Sequence, residues 1–243
     1  MVSFVRTVAR AGSSLVNPIW AFAYPHVRRT DGYVPSSFRT NEDAFHDIYE
    51  NNGWGCAESR SGFGSSLDYT APLRKSLERL LLRLSVRVFL DAPCGDYNWM
   101  QHVRLPAATR YVGGDIVRPL IADLQARHGD ELHSFKPLDI VKDTLPEADL
   151  WLCRDVLFHL PTADAMSALA NFASSRIPYI LTTTYDFPDE NVDVRPGGFR
   201  YLNLARAPFM LPRPQRKIAD FNFPNPPRYL ALWSREQIRE VLR

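Results

Sequence analysis

The sequence predicts an α/β protein: an open, doubly wound, mostly parallel sheet with helices on both faces. Three observations carry the prediction. Strand and helix signals alternate from an amphipathic stretch at Leu67–Leu84 to Thr184, as in a parallel sheet joined by crossover helices. The apolar run Val88-Phe89-Leu90 ends in Asp91 and a Pro93-Cys94-Gly95-Asp96 bend, which leads into Tyr97, Trp99 and Met100, read as a helix start. A buried strand closed by an acid and a glycine turn into a helix is the ligand-binding corner of such a sheet. Finally, 243 residues with 45% hydrophobic and 23% charged content suit one well-buried domain with an additional element.

In chain order, residues 1–66 read as an N-terminal extension and a lid-like loop. The first thirty residues hold Arg6, Arg10, Arg28 and Arg29 without an acid, beside an apolar patch from Leu15 through Ile19, Trp20, Phe22 and Tyr24. That composition suits a transit-like or membrane-surface segment, but Asn17 and Pro18 interrupt it, which favours a packing or substrate-side extension. A polar loop, Asp31 to Thr40, precedes a short helix whose stripe is Phe45, Ile48 and Tyr49 and which stops at Asn51-Asn52-Gly53. Trp54 to Ser65 mixes glycines and serines with Trp54, Glu58, Arg60 and Ser61, a composition suited either to closing over a ligand or to a surface loop anchored by Trp54. Leu73, Leu77, Leu80, Leu81 and Leu84 then recur at helical spacing, predicting a helix packed on the sheet.

Beyond the central bend, Arg110 to Asp115 is predicted as a second strand, Pro119 to His128 as a helix, His133 to Leu138 as a third strand, Asp149 to Arg154 as a fourth, Thr162 to Ser174 as a helix and Ile177 to Thr184 as a fifth strand. Seven prolines then fall between Pro196 and Pro227, and within this part Phe199 to Ala205 and Arg228 to Trp233 are the two segments that look like strands. Ser234 is placed as the cap of a final helix.

The stretch DAPCGDYNW resembles the cofactor loop of class I S-adenosylmethionine (SAM) methyltransferases, with Asp91 at the acidic position, Gly95 at the central glycine, Pro93 where the first glycine usually stands and Tyr97 where the third does. The resemblance covers roughly Leu84 to Tyr185. It implies a Rossmann-like, seven-stranded methyltransferase sheet, mostly parallel with an antiparallel strand near the C-terminal end, over residues 67–243, with a proline-rich substrate-side insertion at about 186–227. Through it Asp91, Ala92, Pro93, Cys94, Gly95 and Trp99 are expected to bind SAM, with Gly95 letting the backbone approach its methionine part and Asp91 meeting the loop or the ammonium group. Asp115 is expected at the ribose, Asp139 and Ile140 at the adenine, Ile116 among the other cofactor-binding residues, and Arg154 where cofactor and substrate meet. Asp155 and His159, four residues apart after the fourth strand, are candidates for one helical face bearing a general base, with a histidine that only packs near the cofactor as the alternative.

The implied activity is in-line methyl transfer to a hydroxyl or amine of a small molecule or sugar, with oxygen favoured over nitrogen, leaving S-adenosylhomocysteine (SAH). Trp54, Glu58, Arg60, Ser61 and Arg200 are the candidate substrate or lid residues. Aromatic residues such as Tyr201, Phe209, Phe221 and Phe223 near arginines suit a sugar ring or an anionic substrate. A SAM-binding module without catalysis and a nucleic-acid binder remain open as alternatives. The second draws on ten Lys or Arg against three acids between Arg195 and Arg243. A nicotinamide-dependent Rossmann enzyme also wants an acid about twenty residues after its glycines, but its diphosphate demands glycine at the positions that Pro93 and Tyr97 occupy. No metal is expected, since no acidic cluster follows the fourth strand. Three scattered cysteines without a Cys-x-x-Cys pair point to a reducing, cytoplasmic setting, and no apolar run approaches membrane-spanning length.

Overall fold

The computed structural model describes residues 38–222 and 225–243. The arginine-bearing apolar patch of the first thirty residues, most of the loop after it, and Phe223 lie outside the described residues. Helix α1 spans Asn41–Glu50, capped by the Thr40 hydroxyl, and α2 spans Leu67–Arg83, capped by Ser66. Strand β1 (Val88–Asp91) is followed by β2 (Arg110–Asp115), α3 (Arg118–His128), β3 (His133–Pro137), β4 (Leu150–Cys153), α4 (Thr162–Ser174) and β5 (Tyr179–Tyr185). The chain closes with β6 (Arg216–Ala219), β7 (Arg228–Ser234) and α5 (Arg235–Val241), the last entered through a capping box between Ser234 and Gln237.

The seven strands form one sheet in the order β3-β2-β1-β4-β5-β7-β6. All pairs from β3 to β5 are parallel, and β7 is antiparallel to both β5 and β6. This is a Rossmann-like α/β fold. The order reverses between β1 and β4, which puts a crevice outside the carboxyl ends of those strands. Successive side chains of a strand point to opposite faces, and here both faces are covered. Leu90, Trp151, Ile180 and Trp233 pack with Leu169 and Phe172 of α4 and Ile238 of α5. Their chain neighbours Phe89, Leu150, Leu152, Leu181 and Leu232 pack with Leu73, Leu77 and Leu81 of α2 and Leu120 and Leu124 of α3. Burial on both faces is why the central strands read as continuous apolar runs.

Two expected elements differ. No α-helix follows the Asp91–Asp96 bend; the chain makes a single 3-10 turn, Met100–His102. Tyr97 takes a left-handed backbone, φ +60°, and the Asn98 side chain donates to Glu58 (2.8 Å) and to the Ser65 carbonyl (3.0 Å). The segment is thus tied to the loop before α2 instead of to its own next turn. Phe199 to Ala205 is not a strand either. Both edges of β5 are filled, by β4 and by β7, so Leu202 and Leu204 bury their side chains while Leu204 N donates to the Thr184 hydroxyl and Asn203 N to Asn191. The edge strand that pairs with the far side of β7 is instead β6, inside the expected proline-rich insertion.

Candidate active site

A partly open cleft lies at the carboxyl ends of β1, β2 and β4, with α1 and the loop before α2 across it. Asp91 closes β1. It is buried and accepts the Tyr111 hydroxyl at 2.7 Å, and burial pushes its carboxyl up to about 7 against that hydrogen bond. Asp115 closes β2. One of its oxygens accepts the Gly95 amide (3.1 Å) and the other the Val117 amide (3.0 Å), each keeping a further lone pair. Burial lifts it to about 6, with those backbone donors opposing. Asp139, just after β3, accepts the Val141 amide at 2.9 Å and pairs with Lys142 Nζ at 3.2 Å.

The bend Pro93–Gly95 and Trp99 form one wall of the cleft, and Ile116, Leu138 and Ile140 an apolar flank. Gly95 has φ +54°, and a Cβ there would sit 2.2 Å from Ser61 Oγ. The missing side chain therefore makes room for the loop before α2. That loop is sewn to the bend through Asp96, whose carboxylate accepts from Ser59 Oγ (2.9 Å), the Arg60 amide (2.8 Å) and Ser61 Oγ (3.1 Å), while Ser61 Oγ accepts the Asp96 amide (2.9 Å). Arg60 also donates to the Tyr49 and Glu50 carbonyls at the end of α1 and lies over the Tyr49 ring. Loop, bend and α1 thus share one network, and Trp54, Arg60 and Ser61 face the cleft.

Behind the β4 end lies a buried four-charge cluster. Arg154 donates from Nε and Nη2 to both oxygens of Asp220 (3.0 Å each) and from Nη2 to the Gly64 carbonyl (2.7 Å), and its guanidinium lies 5.2 Å from the Trp99 ring centre. Arg228 stands 2.8 Å from Asp155 and 3.3 Å from Asp220. Burial works against the Asp155 charge, but Arg154 and Arg228 overcome it and hold the carboxyl below its usual range. Asp220 and Arg228 were invisible as site residues in the sequence; Asp220 is 66 positions from Arg154, and its one visible signal was that it is the lone acid in a basic stretch.

Of the expected site residues, Trp54, Arg60, Ser61, Asp91, Pro93, Cys94, Gly95, Trp99, Asp115, Ile116, Asp139, Ile140, Arg154 and Asp155 line the cleft. Four do not. Ala92 is buried, and its carbonyl accepts the Trp151 indole at 2.8 Å. Glu58 is exposed and caps α2 through the Leu67 amide (2.6 Å). Arg200 is buried, donating to Thr162 Oγ1 and to the Val192 and Leu160 carbonyls, so it is a strut between loops. His159 sits on a 3-10 turn, Leu157–His159, with its ring 5.4 Å from Trp54. Its Nδ1 lies 2.6 Å from the Gly198 carbonyl oxygen, which fixes the proton on that nitrogen and leaves a lone pair on Nε2. Burial lowers the ring to about 4, so it is neutral near pH 7. Asp155 and His159 share no helix, because Asp155 is left-handed (φ +55°). Asn41, Phe45 and Tyr49 of α1 also line the cleft, and nothing local in the sequence marked them for it.

Among the described residues no group of three His, Cys, Asp or Glu is arranged to hold a metal ion, and no helix is long and apolar enough to cross a membrane. No family model matches the sequence, and no curated protein does. Solved structures do match. Magnesium protoporphyrin IX methyltransferase from Synechocystis PCC 6803 with bound SAH has a TM-score of 0.54 at 14% identity, over 79% of this chain and 97% of that one. With bound SAM the same enzyme gives 0.54 at 13% identity, over 83% and 99%. The N-methyltransferase NodS from Bradyrhizobium japonicum WM9 matches at a TM-score of 0.45 and 16% identity, over 67% and 96%. The Synechocystis likeness establishes the fold, which this chain shares with that methyltransferase.

Proposed function

We propose that the protein binds SAM in this cleft and transfers its methyl group to a hydroxyl or amine of a small molecule or sugar. The observation that carries the reading is the set of three acids, Asp91, Asp115 and Asp139, at the ends of three adjacent strands around one cleft, with the Gly95 bend between them. The donor set fits the nucleoside. Asp115 offers one unused lone pair on each oxygen to a ribose diol, and Ile116, Leu138 and Ile140 offer an apolar flank to a purine. Asp91 favours a cationic group such as the ammonium of the methionine part.

When bound, SAM supplies a methyl group on a positively charged sulfur, open to in-line displacement. The chain then has to align the acceptor and exclude water, work that suits Trp54, Arg60 and Ser61 over the cleft. Asp155, held ionised between two arginines, supplies negative charge there and is a weak proton acceptor. Neutral His159, with its free Nε2, is the better base for a hydroxyl acceptor, reached past Trp54; an amine presenting its lone pair needs none.

The same geometry weighs against the alternatives. A dinucleotide's diphosphate binds at a helix N-terminus, and after this bend there is a single 3-10 turn, with the Asp96 carboxylate and Ser61 packed against the glycine. Of the ten basic residues from Arg195 to Arg243, Arg200 and Arg228 are buried in the fold, and Arg206, Lys217 and Arg235 pair with Asp189, Asp186 and Glu236, so half of that charge is engaged by the protein itself. The test is titration calorimetry with SAM and SAH on the parent protein and on Asp115→Ala. Binding by the parent that Asp115→Ala weakens supports the reading, and a parent that binds neither ligand ends it. Turnover over hydroxyl and amine acceptors then separates an enzyme from a binding module.

A further inference from the structure

Among the described residues one hydrogen bond reaches the Asp91 carboxylate, from the Tyr111 hydroxyl to Oδ2 at 2.7 Å. Strands β1 and β2 run parallel, with Phe89 beside Tyr111 and Asp91 beside Gly113, and alternate residues of a strand share a face. Tyr111 therefore lies two residues behind the acid on the neighbouring strand, and its ring has to pass Gly113 to reach it. Gly113 makes the room: a Cβ there would stand 3.1 Å from Tyr111 Cε1 and 2.6 Å from Phe135 Cδ1. The Tyr111 ring is wholly buried and packs against Phe89, Tyr97, His133 and Phe135, with ring centres 5.1–6.1 Å away. A phenylalanine would fill that place as well; the hydroxyl is what reaches the acid.

The other carboxylate oxygen is left for a ligand. Asp91 lines the cleft; its Oδ1 accepts no hydrogen bond among the described residues and is not enclosed by them, so a molecule in the cleft can reach it. Burial pushes the Asp91 carboxyl up to about 7. Tyr111 is the strongest influence holding it down, Arg154 at the end of β4 the next, and Asp115 at the end of β2 adds to the rise. Cys94 and Tyr97 of the bend, Cys153 of β4 and Tyr111 itself also feel the Asp91 charge, and burial raises all four, so they stay protonated and Tyr111 stays a donor. A hydrogen bond to a charged acceptor is stronger than one to a neutral acceptor. We infer that Tyr111 is a positioning residue of the cofactor site: its hydroxyl holds Asp91 Oδ2, leaves Oδ1 to the ammonium group of the ligand and favours the charged carboxylate that this group needs.

The inference rests on the SAM reading, and calorimetry at pH 5.5, 7 and 8.5 with SAH and its desamino analogue, which lacks the ammonium group, tests the two separately. Tyr111→Phe keeps the ring and removes the hydroxyl. It should weaken SAH about tenfold at pH 7 and less at pH 8.5, moving the pH dependence of SAH binding upward by about one unit or more, the scale of one hydrogen bond to a charged group. The desamino analogue should be weakened much less. Asp115 also titrates, in both proteins alike. In the parent protein, without any substitution, the buried Tyr111 hydroxyl proton should move downfield in the NMR spectrum at pH 7 as SAH saturates the site. If the parent binds SAH but Tyr111→Phe weakens both ligands by one factor at every pH, or the hydroxyl resonance does not move, Tyr111 is a packing residue alone and the SAM reading stands. If the parent binds neither SAH nor SAM, both fall.

Discussion

Asp115 accepts one backbone amide on each oxygen, from the glycine bend and from the start of α3, and keeps a lone pair on each for a ligand. Removing the side chain leaves both amides without their acceptor, so Asp115→Ala should weaken SAH binding by at least about tenfold, read by calorimetry. Burial raises Asp115 to about 6 and Asp91 to about 7. Both groups then hold protons more tightly in the fold than in the unfolded chain, where carboxyls titrate near 4. As pH rises from about 4 toward 7 their ionisation takes stability from the ligand-free protein, whereas a ligand that brings an ammonium group to Asp91 and a diol to Asp115 favours the ionised forms. SAH affinity should accordingly weaken as pH falls below about 7, by up to about tenfold per pH unit for each proton displaced. The thermal shift on adding SAH should be larger at pH 8 than at pH 5.5. His159 is neutral near pH 7 and held by the Gly198 carbonyl; His159→Ala should keep SAH binding while lowering turnover with a hydroxyl acceptor. Full turnover in that variant would remove it as the base.

At the level of elements, the bend after β1 and the loop before α2 behave as one unit. Gly95 cannot carry a side chain, because its backbone is left-handed and Ser61 Oγ occupies the place of a Cβ. Gly95→Ala should cost about 1–3 kcal/mol in urea unfolding, whereas Ser61→Ala should cost less and loosen the loop. The cluster of Arg154, Asp155, Asp220 and Arg228 ties the ends of β4, β6 and β7 to the Gly64 carbonyl in the same loop. Asp220 has a side chain only 1% exposed, so Asp220→Ala leaves two buried guanidiniums with one carboxylate between them. A loss of about 3–5 kcal/mol is expected, the scale of a buried pair broken from one side, measured by denaturant midpoint.

For the whole molecule, the sheet reversal between β1 and β4 and the cover of α1 and residues 54–66 gather Asp91, Asp115, Asp139 and Asp155 around one cleft. Central strands buried on both faces should exchange their amide hydrogens slowest, and the loop over the cleft faster. Adding SAH should slow exchange in residues 54–66 and at the first turn of α1 without changing β5. Slowed exchange confined to the far ends of the strands would place the ligand elsewhere.

The sheet and its helices were legible in the chain itself, since a strand buried on two faces must be a continuous apolar run and a helix packed on a sheet must carry an apolar stripe. Asp91 and Asp115 were legible for a related reason: each is the first polar residue after the apolar part of its strand, whereas Asp139 follows a strand that already carries Ser134 and Lys136 and was legible only by its place after that strand. The missing helix after the bend was not legible, because hydrogen bonds from a loop thirty-odd residues upstream decide it. Nor was the displacement of Phe199 to Ala205, an apolar stretch that finds β5 already paired on both edges. Asn41 meets Asp164 across 123 positions and Arg154 meets Asp220 across 66. Local pattern determined which segments become strands and helices, because periodicity is a property of neighbours in the chain. Only the tertiary structure decided which distant side chains close the cleft, because the partners that satisfy a buried charge or amide are chosen by the packing of the fold.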